Sequence, residues 1–183
     1  MWYHGQMITG HVFIATSLDG YLARRDGDLD WLMKQKTAGE EHGFAALMDA
    51  VDGLVMGRAT FQKVLSFGEW PYTKPVVVMS RSLTPGDIPD HLRNKVRLSS
   101  QTPKAIMQSL DKEGWKAAYV DGGKLVQSFV RDGLVSDITL TRVPILIGDG
   151  LPLFGAIDRD IDLEHVSTES FPSGLVTSKY RVI

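Results

Sequence analysis

The chain has 183 residues, 43% hydrophobic and 23% charged, with 20 Lys and Arg against 22 Asp and Glu. That balance fits one globular domain of ordinary composition and lacks the basic excess with which a nucleic-acid binder neutralises phosphates. The absence of cysteine excludes disulfides, thiolate metal sites, iron–sulfur clusters and cysteine nucleophiles together, and no run approaches the roughly 18 apolar residues of a membrane span.

Residues 1–7 read as a short extension without the cationic and apolar regions of a signal peptide, with Met1 or Met7 as the natural start. Residues 8–183 read as one domain, and the expected compartment is the cytoplasm. His11 to Thr16 is a β-rich apolar run and the expected first strand. The polar stretch from Ser17 to about Gly39 is long for a connection inside a compact domain, which marks it as functional or as carrying structure of its own. Glu40 to Ala50 is expected to be helical, with Phe44, Leu47 and Met48 on one face. Gly53 to Gly57 reads as a short strand, Ala59 to Leu65 as a helix, and Pro75 to Ser80 as a buried strand. Thr102-Pro103 is a helix start, with Thr as N-cap and Pro at the first helical position. Ala117 to Val120 is a further strand, and Gly122-Gly123 opens a helix. Asp137 to Ile147 is expected to be one long strand interrupted at Pro144. Strands at about 162–167 and 175–182 close the chain as a hairpin, with Pro172-Ser173-Gly174 in its turn. Repeated strand–helix units predict a three-layer α/β fold, a mostly parallel mixed sheet flanked by helices, with a C-terminal antiparallel hairpin.

Ligands in such sheets bind beyond the carboxyl ends of the strands, and three of those ends carry phosphate chemistry. Gly57-Arg58-Ala59-Thr60 joins a flexible glycine, a guanidinium fork and a hydroxyl to a helix N-terminus. Ser80-Arg81-Ser82 flanks a second guanidinium with two hydroxyls, which suits a phosphate monoester. Asp121-Gly122-Gly123-Lys124-Leu125 lets a pyrophosphate approach backbone closely, although it matches neither the P-loop nor the G-x-G-x-x-G pattern. Three such turns point to a dinucleotide. No metal site is expected: the five histidines lack ligand spacing, and Asp26, Asp28 and Asp30 lead to Trp31 where a calcium loop needs glycine.

The ordered set of Val12 to Ala23 (VFIATSLDGYLA), Gly27 to Trp31 (GDLDW), Met56 to Phe61 (MGRATF), Val76 to Ser80 (VVVMS), Val120 to Leu125 (VDGGKL) and Gly133 to Thr141 (GLVSDITLT), running on to Gly148 to Phe154 (GDGLPLF), resembles the dihydrofolate reductase-like fold. Within that fold it resembles the reductase domain of the riboflavin-biosynthesis bifunctional deaminase–reductase, in its stand-alone bacterial form. The resemblance implies an eight-stranded sheet and an NADPH-dependent reductase. It implies that Gly57, Arg58 and Thr60 hold cofactor phosphates, that Ser80 and Arg81 hold the adenosine 2′-phosphate, and that Gly122, Gly123 and Lys124 with the Leu125 backbone hold the pyrophosphate; Ser82 and Asp121, in the same two turns, are counted among the cofactor-binding residues. Ala15 would lie under the nicotinamide, with Leu22 and Ala23 along its edge. Asp19 and Gly20 would line the junction of nicotinamide and substrate, Trp31 would sit on a mobile loop over the site, and Thr141 would stand near the substrate ring. Asp19 and Glu41 are the candidates to assist proton delivery, with water as the simplest donor. Glu40, Glu41 and Asp49 are the acids nearest the first helix, and the first strand lacks the lysine usual in the riboflavin-pathway relatives.

The main expectation is therefore hydride transfer to a small heterocycle, pterin- or folate-like or a riboflavin-pathway pyrimidine. The alternative is an NADP(H)- or ligand-binding protein of the same fold without turnover. A homodimer is expected, and neither nucleic acid nor membrane is an expected partner.

Overall fold

Residues 7–183 are described by the structure, a computed structural model; residues 1–6, most of the expected N-terminal extension, lie outside the described residues. In chain order the elements are β1 (Thr9–Ser17), β2 (Tyr21–Ala23), α1 (Asp30–Met33), α2 (Phe44–Ala50), β3 (Gly53–Gly57), α3 (Arg58–Leu65), β4 (Val76–Met79), β5 (Val96–Ser99), α4 (Pro103–Lys112), β6 (Ala117–Asp121), α5 (Gly123–Arg131), β7 (Val135–Val143), β8 (Leu151–Pro152), β9 (Leu163–Ser170) and β10 (Val176–Val182). Eight strands form one sheet in the order β5-β4-β3-β6-β1-β7-β10-β9. The first six of that order run parallel, and β10 and β9 add an antiparallel edge. The expected α/β architecture, with its mixed sheet and terminal hairpin, is the one observed.

Strand side chains alternate between faces, and that period builds the two outer layers. Val12, Val55, Val77 and Val120 point to one face, where they pack with Ile106, Met107 and Leu110 of α4 and Val126 and Phe129 of α5. Leu54, Met56, Val76 and Val78 point to the other, against Phe61 and Val64 of α3, with Phe44, Leu47 and Met48 of α2 beside them. Both faces of the parallel strands are thus covered, which is why these strands read as continuous apolar runs. Each such side chain contributes roughly 1.5–3 kcal/mol on burial. A third, smaller cluster of Trp31, Val143 and Leu175 caps the sheet beyond the ends of β7 and β10.

Three boundaries differ from the sequence reading. β7 stops at Val143, because Pro144 has no N–H to continue the ladder; the next amide, Ile145 N, turns back to the Val143 carbonyl at 2.8 Å. α2 starts at Phe44 rather than Glu40, since Gly43 takes φ +96° as its N-cap. β5 is an additional strand, half exposed and paired to β4 through Val96–Ser99.

The centre of the sheet opens at its carboxyl end. β6 pairs with β1 only from Ala117 to Tyr119, against Thr9 to His11. Beyond that point β6 stays with β3 as far as Asp121, whereas β1 stays with β7 as far as Ser17. The two strands part, and a cleft opens between them. The Tyr119 hydroxyl spans it, donating to the Phe13 carbonyl at 2.9 Å.

Candidate active site

Segments far apart in the sequence meet at this open edge. Gly57 ends β3 and Gly122 follows β6, and each is the N-cap of the next helix, α3 or α5. Neither helix start is capped by a side chain, so the first-turn N–H groups are left for solvent or an anion. α4 offers the contrast: Thr102 Oγ1 accepts from Ala105 N at 3.3 Å. Gly122 holds φ +107°, and a Cβ there would run into Thr60 Oγ1 and lie 3.6 Å from Gly57 N. Glycine is therefore required, and the two turns are in contact. A Cβ on Gly123 would meet Leu22 Cδ1 at 2.5 Å, which puts β2 against the first turn of α5. Lys124 is exposed on that same turn, with Leu125 half-buried behind it.

The second guanidinium turn lies beside the first. Arg58 Nη1 donates to Ser82 Oγ at 2.8 Å. Ser80 Oγ accepts from Ser82 N at 3.1 Å and Leu83 N at 3.0 Å, which folds the turn. Arg81 is exposed at its tip. Arg58, Ser80 and Ser82 thus form one polar patch at the ends of β3 and β4.

On the other side of the cleft, Ala15 of β1 stands opposite Thr141 of β7, which stands opposite Thr177 of β10. Thr141 is buried, and its hydroxyl shares a 2.8 Å hydrogen bond with Thr177. Asp121 sits at the cleft mouth. Burial pushes its carboxyl up to about 6, against the neighbouring Tyr119 and Tyr72 hydroxyls and the Gly122 backbone, which pull it down. The same surroundings raise Tyr72 and Tyr119 above the ordinary phenol range.

Asp19 is arranged differently. It accepts from Ser17 Oγ at 2.6 Å, Ile147 N at 3.3 Å and Gly148 N at 2.8 Å. The Ser17 hydroxyl and these amides hold its carboxyl below the ordinary value. It ties the β1–β2 turn to the segment after β7, where the Gly20 carbonyl also accepts from Leu153 N at 3.1 Å. Ala23 is buried and pairs with Leu151 of β8.

Two expectations need correction. Trp31 is 0% exposed and packs against Val143 and Leu175; it anchors the long connection in an apolar cluster, because α1 turns its indole inward. Glu41 is exposed, and its carboxylate accepts from Gly43 N at 2.7 Å within its own loop. The neighbouring Glu40 is the partly buried acid, bonded to Ser173. Tyr72 and Tyr119 beside Asp121 were missed; the signal available was Tyr119 two residues before Asp121 on one strand, hence on the same face.

A surface cavity of about 560 Å³ lies at the opposite end of the sheet, among Arg131, Val135, Asp158, Arg159, Asp162 and Ile183. It mixes both charges and holds none of the strand-end turns. No described helix is long and apolar enough to cross a membrane.

The chain is similar to known proteins. The model of the RibD C-terminal domain matches residues 9–177. A putative riboflavin biosynthesis protein from Shewanella sp. PV-4 is 40% identical, with a TM-score of 0.89 over 96% of this chain and 99% of that one. The uncharacterized protein YwjB of Bacillus subtilis (strain 168) is 29% identical over 165 residues, 87% of this chain and 90% of its own. A Thermotoga maritima diaminohydroxyphosphoribosylaminopyrimidine deaminase/5-amino-6-(5-phosphoribosylamino)uracil reductase shares the fold at 15% identity and TM-score 0.71, this chain covering 57% of it. With the match spanning β1 to β10, the chain belongs to the RibD C-terminal domain family.

Proposed function

We propose that this chain is an NADPH-dependent reductase of a small heterocyclic substrate, of the pterin- or pyrimidine-like kind. The observation that carries the reading is the pair of uncapped helix starts, α3 and α5, brought side by side by contact of Gly122 with Thr60 and flanked by Arg58, Ser82 and Lys124. A dinucleotide needs such a donor set: free amides and a dipole end for the pyrophosphate, and guanidinium forks for a terminal phosphate. Gly57, Thr60, Gly122, Gly123, Lys124 and the Leu125 amide would hold the pyrophosphate. Arg58, Ser80, Arg81 and Ser82 would hold the 2′-phosphate.

NADPH, when bound, supplies the hydride. The residues of the cleft orient the reactants and exclude water. Ala15 leaves room for a flat ring on β1, and the Thr141–Thr177 hydroxyl pair offers hydrogen bonds beyond it. Asp121 is the acid we assign to proton handling. Its raised pKa near 6 keeps a share of it protonated close to neutral pH, where a general acid works best. Asp19, held ionised by backbone amides, serves as a structural acceptor instead. We further propose a homodimer joined through the edge strand β9, all of whose residues are exposed, Leu163 and Val166 included.

Titrating NADPH while following tryptophan fluorescence tests the cofactor assignment. Saturable quenching is expected, with NADH binding more weakly. Arg81→Ala should weaken NADPH more than NADH, since only NADPH carries the 2′-phosphate. Absence of binding at millimolar NADPH would overturn the reading. Binding without oxidation by any pterin or pyrimidine acceptor would favour a binding protein without turnover.

A further inference from the structure

The segment before α2 is hydrogen-bonded to the β9–β10 turn through one side chain. Among the described residues, the backbone hydrogen bonds of residues 36–42 stay inside the segment, as in Glu40 N to the Thr37 carbonyl at 3.0 Å. Apart from Gly43 N, which donates to Glu41 Oε1 within the same loop, the hydrogen bonds that leave it are accepted by Glu40. Ser173 N donates to Oε1 at 2.8 Å, and Ser173 Oγ donates to Oε2 at 2.7 Å. Glu40 is 11% exposed, and the Ser173 hydroxyl keeps its carboxyl below the ordinary glutamate value. The carboxylate is therefore ionised, and bonds to an ionised acceptor are stronger than neutral ones.

His42 travels with Glu40. Its ring packs on Phe171 with centroids 4.1 Å apart, and its Nε2 lies 3.2 Å from Glu40 Oε2. Neither ring nitrogen has a well-formed hydrogen bond. Gly39 and Gly43 bracket these residues at φ +85° and +96°, and such positions absorb large backbone changes at low cost. Past Gly43, Phe44 is fixed against Phe13 of β1, with ring centroids 5.9 Å apart. Ser173 lies in the turn between β9 and β10. The segment therefore spans from that turn to β1, across the amino end of β10 and the carboxyl end of β7. Thr177, Thr141 and Ala15 line up beneath that crossing.

We propose that residues 40–42 are a flap, hinged at Gly39 and Gly43 and latched by Glu40 to Ser173, whose release opens the acceptor end of the cleft and frees His42 from Phe171. The latch stands on the geometry alone. That the entering molecule is the hydride acceptor rests on the reductase reading above.

Hydrogen exchange read by mass spectrometry on the full chain tests it. Glu40→Ala removes both bonds, and exchange across residues 40–43 and at Ser173 should quicken at least about tenfold. Ser173→Ala removes only the hydroxyl bond and should give a smaller increase in the same peptides. The double variant should give no larger an increase than Glu40→Ala alone, because the two residues share one interaction. Glu40→Gln still offers Ser173 an acceptor and should restore most of the protection. Unchanged exchange of these peptides in Glu40→Ala overturns the latch. If Glu40→Ala also loses protection in β1 and β7, it has unfolded, and Ser173→Ala decides by the same peptides. NADPH titration of the wild-type chain is read separately, so failure of the reductase reading leaves the latch result intact.

Discussion

Replacing Asp121 with Asn isolates the cost of keeping an acid at the cleft mouth. Burial raises this carboxyl from an ordinary 3.8 to about 6, so the folded state holds its proton over a range where the unfolded chain has lost it. Stability attributable to the group is then highest in acid and falls as pH rises from about 4 to 6, levelling above that. A gap of that width is worth at most about 3 kcal/mol. Asn keeps the shape and an oxygen acceptor for the Gly122 amide, but it cannot ionise. Urea denaturation of both proteins at pH 4, 5, 6 and 8 reads the difference. The variant should gain on the wild type between pH 4 and 6, by up to about 3 kcal/mol, and hold that gain at pH 8. Other titrating groups cancel in the comparison. A difference that stays constant across the range would show that Asp121 titrates in the folded state as it does in the unfolded, and would remove it as a proton carrier. The same variant should keep NADPH binding and lose most turnover at neutral pH.

Three further outcomes are expected. Gly122→Ala should lower stability by about 1–3 kcal/mol, since it combines a positive φ with a clash against Thr60, and thermal melts measure it; a melt within a degree of wild type refutes the close approach. Trp31→Ala should cost about 3–5 kcal/mol, the range for emptying a buried aromatic site; a denaturation midpoint near that of the wild type would return Trp31 to a surface loop. Light scattering should give about twice the chain mass, with Val166→Lys on β9 shifting it to the monomer; a monomeric wild type refutes the β9 dimer.

The strands at the centre were legible because both of their faces are buried. Gly53 to Gly57 and Pro75 to Ser80 have no alternation to misread, and each needed only a glycine or polar stop to bound it. β5 was not legible, since Val96-Arg97-Leu98-Ser99 is a four-residue edge strand whose pairing to β4 is decided by tertiary contact. The long connection from Ser17 to Gly43 showed its length but not its contents. β2 is formed by pairing with β8, more than a hundred residues away, and α1 is too short to show a period. For the candidate site, the glycine turns and arginines could be named from their residue types, because their chemistry is local. Their convergence could not: the contact of Thr60 with Gly122, and of Leu22 with Gly123, exists only once the sheet order is known. Glu40 and Glu41 are identical in type and adjacent, and only the position of Ser173 makes one a partly buried acceptor and the other an exposed one.

Asp19 and Asp121 carry that argument to its test. Both stand at strand ends on the open edge and both precede a glycine, yet the fold drives their acidities apart. Asp19 meets one hydroxyl and two amides, so its charged form is favoured and its pKa falls. Asp121 meets desolvation first, so its neutral form is favoured and its pKa rises. Linkage turns the difference into opposite signs. A depressed carboxyl adds stability that is complete above the ordinary 3.8 and is lost as pH falls through the folded value. Asp19→Asn should therefore be less stable than wild type at pH 7, and the deficit should shrink as the pH is taken from 4 to 3. Asp121→Asn should do the reverse, more stable than wild type at pH 7 and level with it near pH 4. Urea curves for the three proteins over pH 3–8 place both slopes in one experiment. Parallel profiles for the two variants would mean that the two aspartates share one environment, and the division between a structural carboxylate and a proton-holding acid would fail.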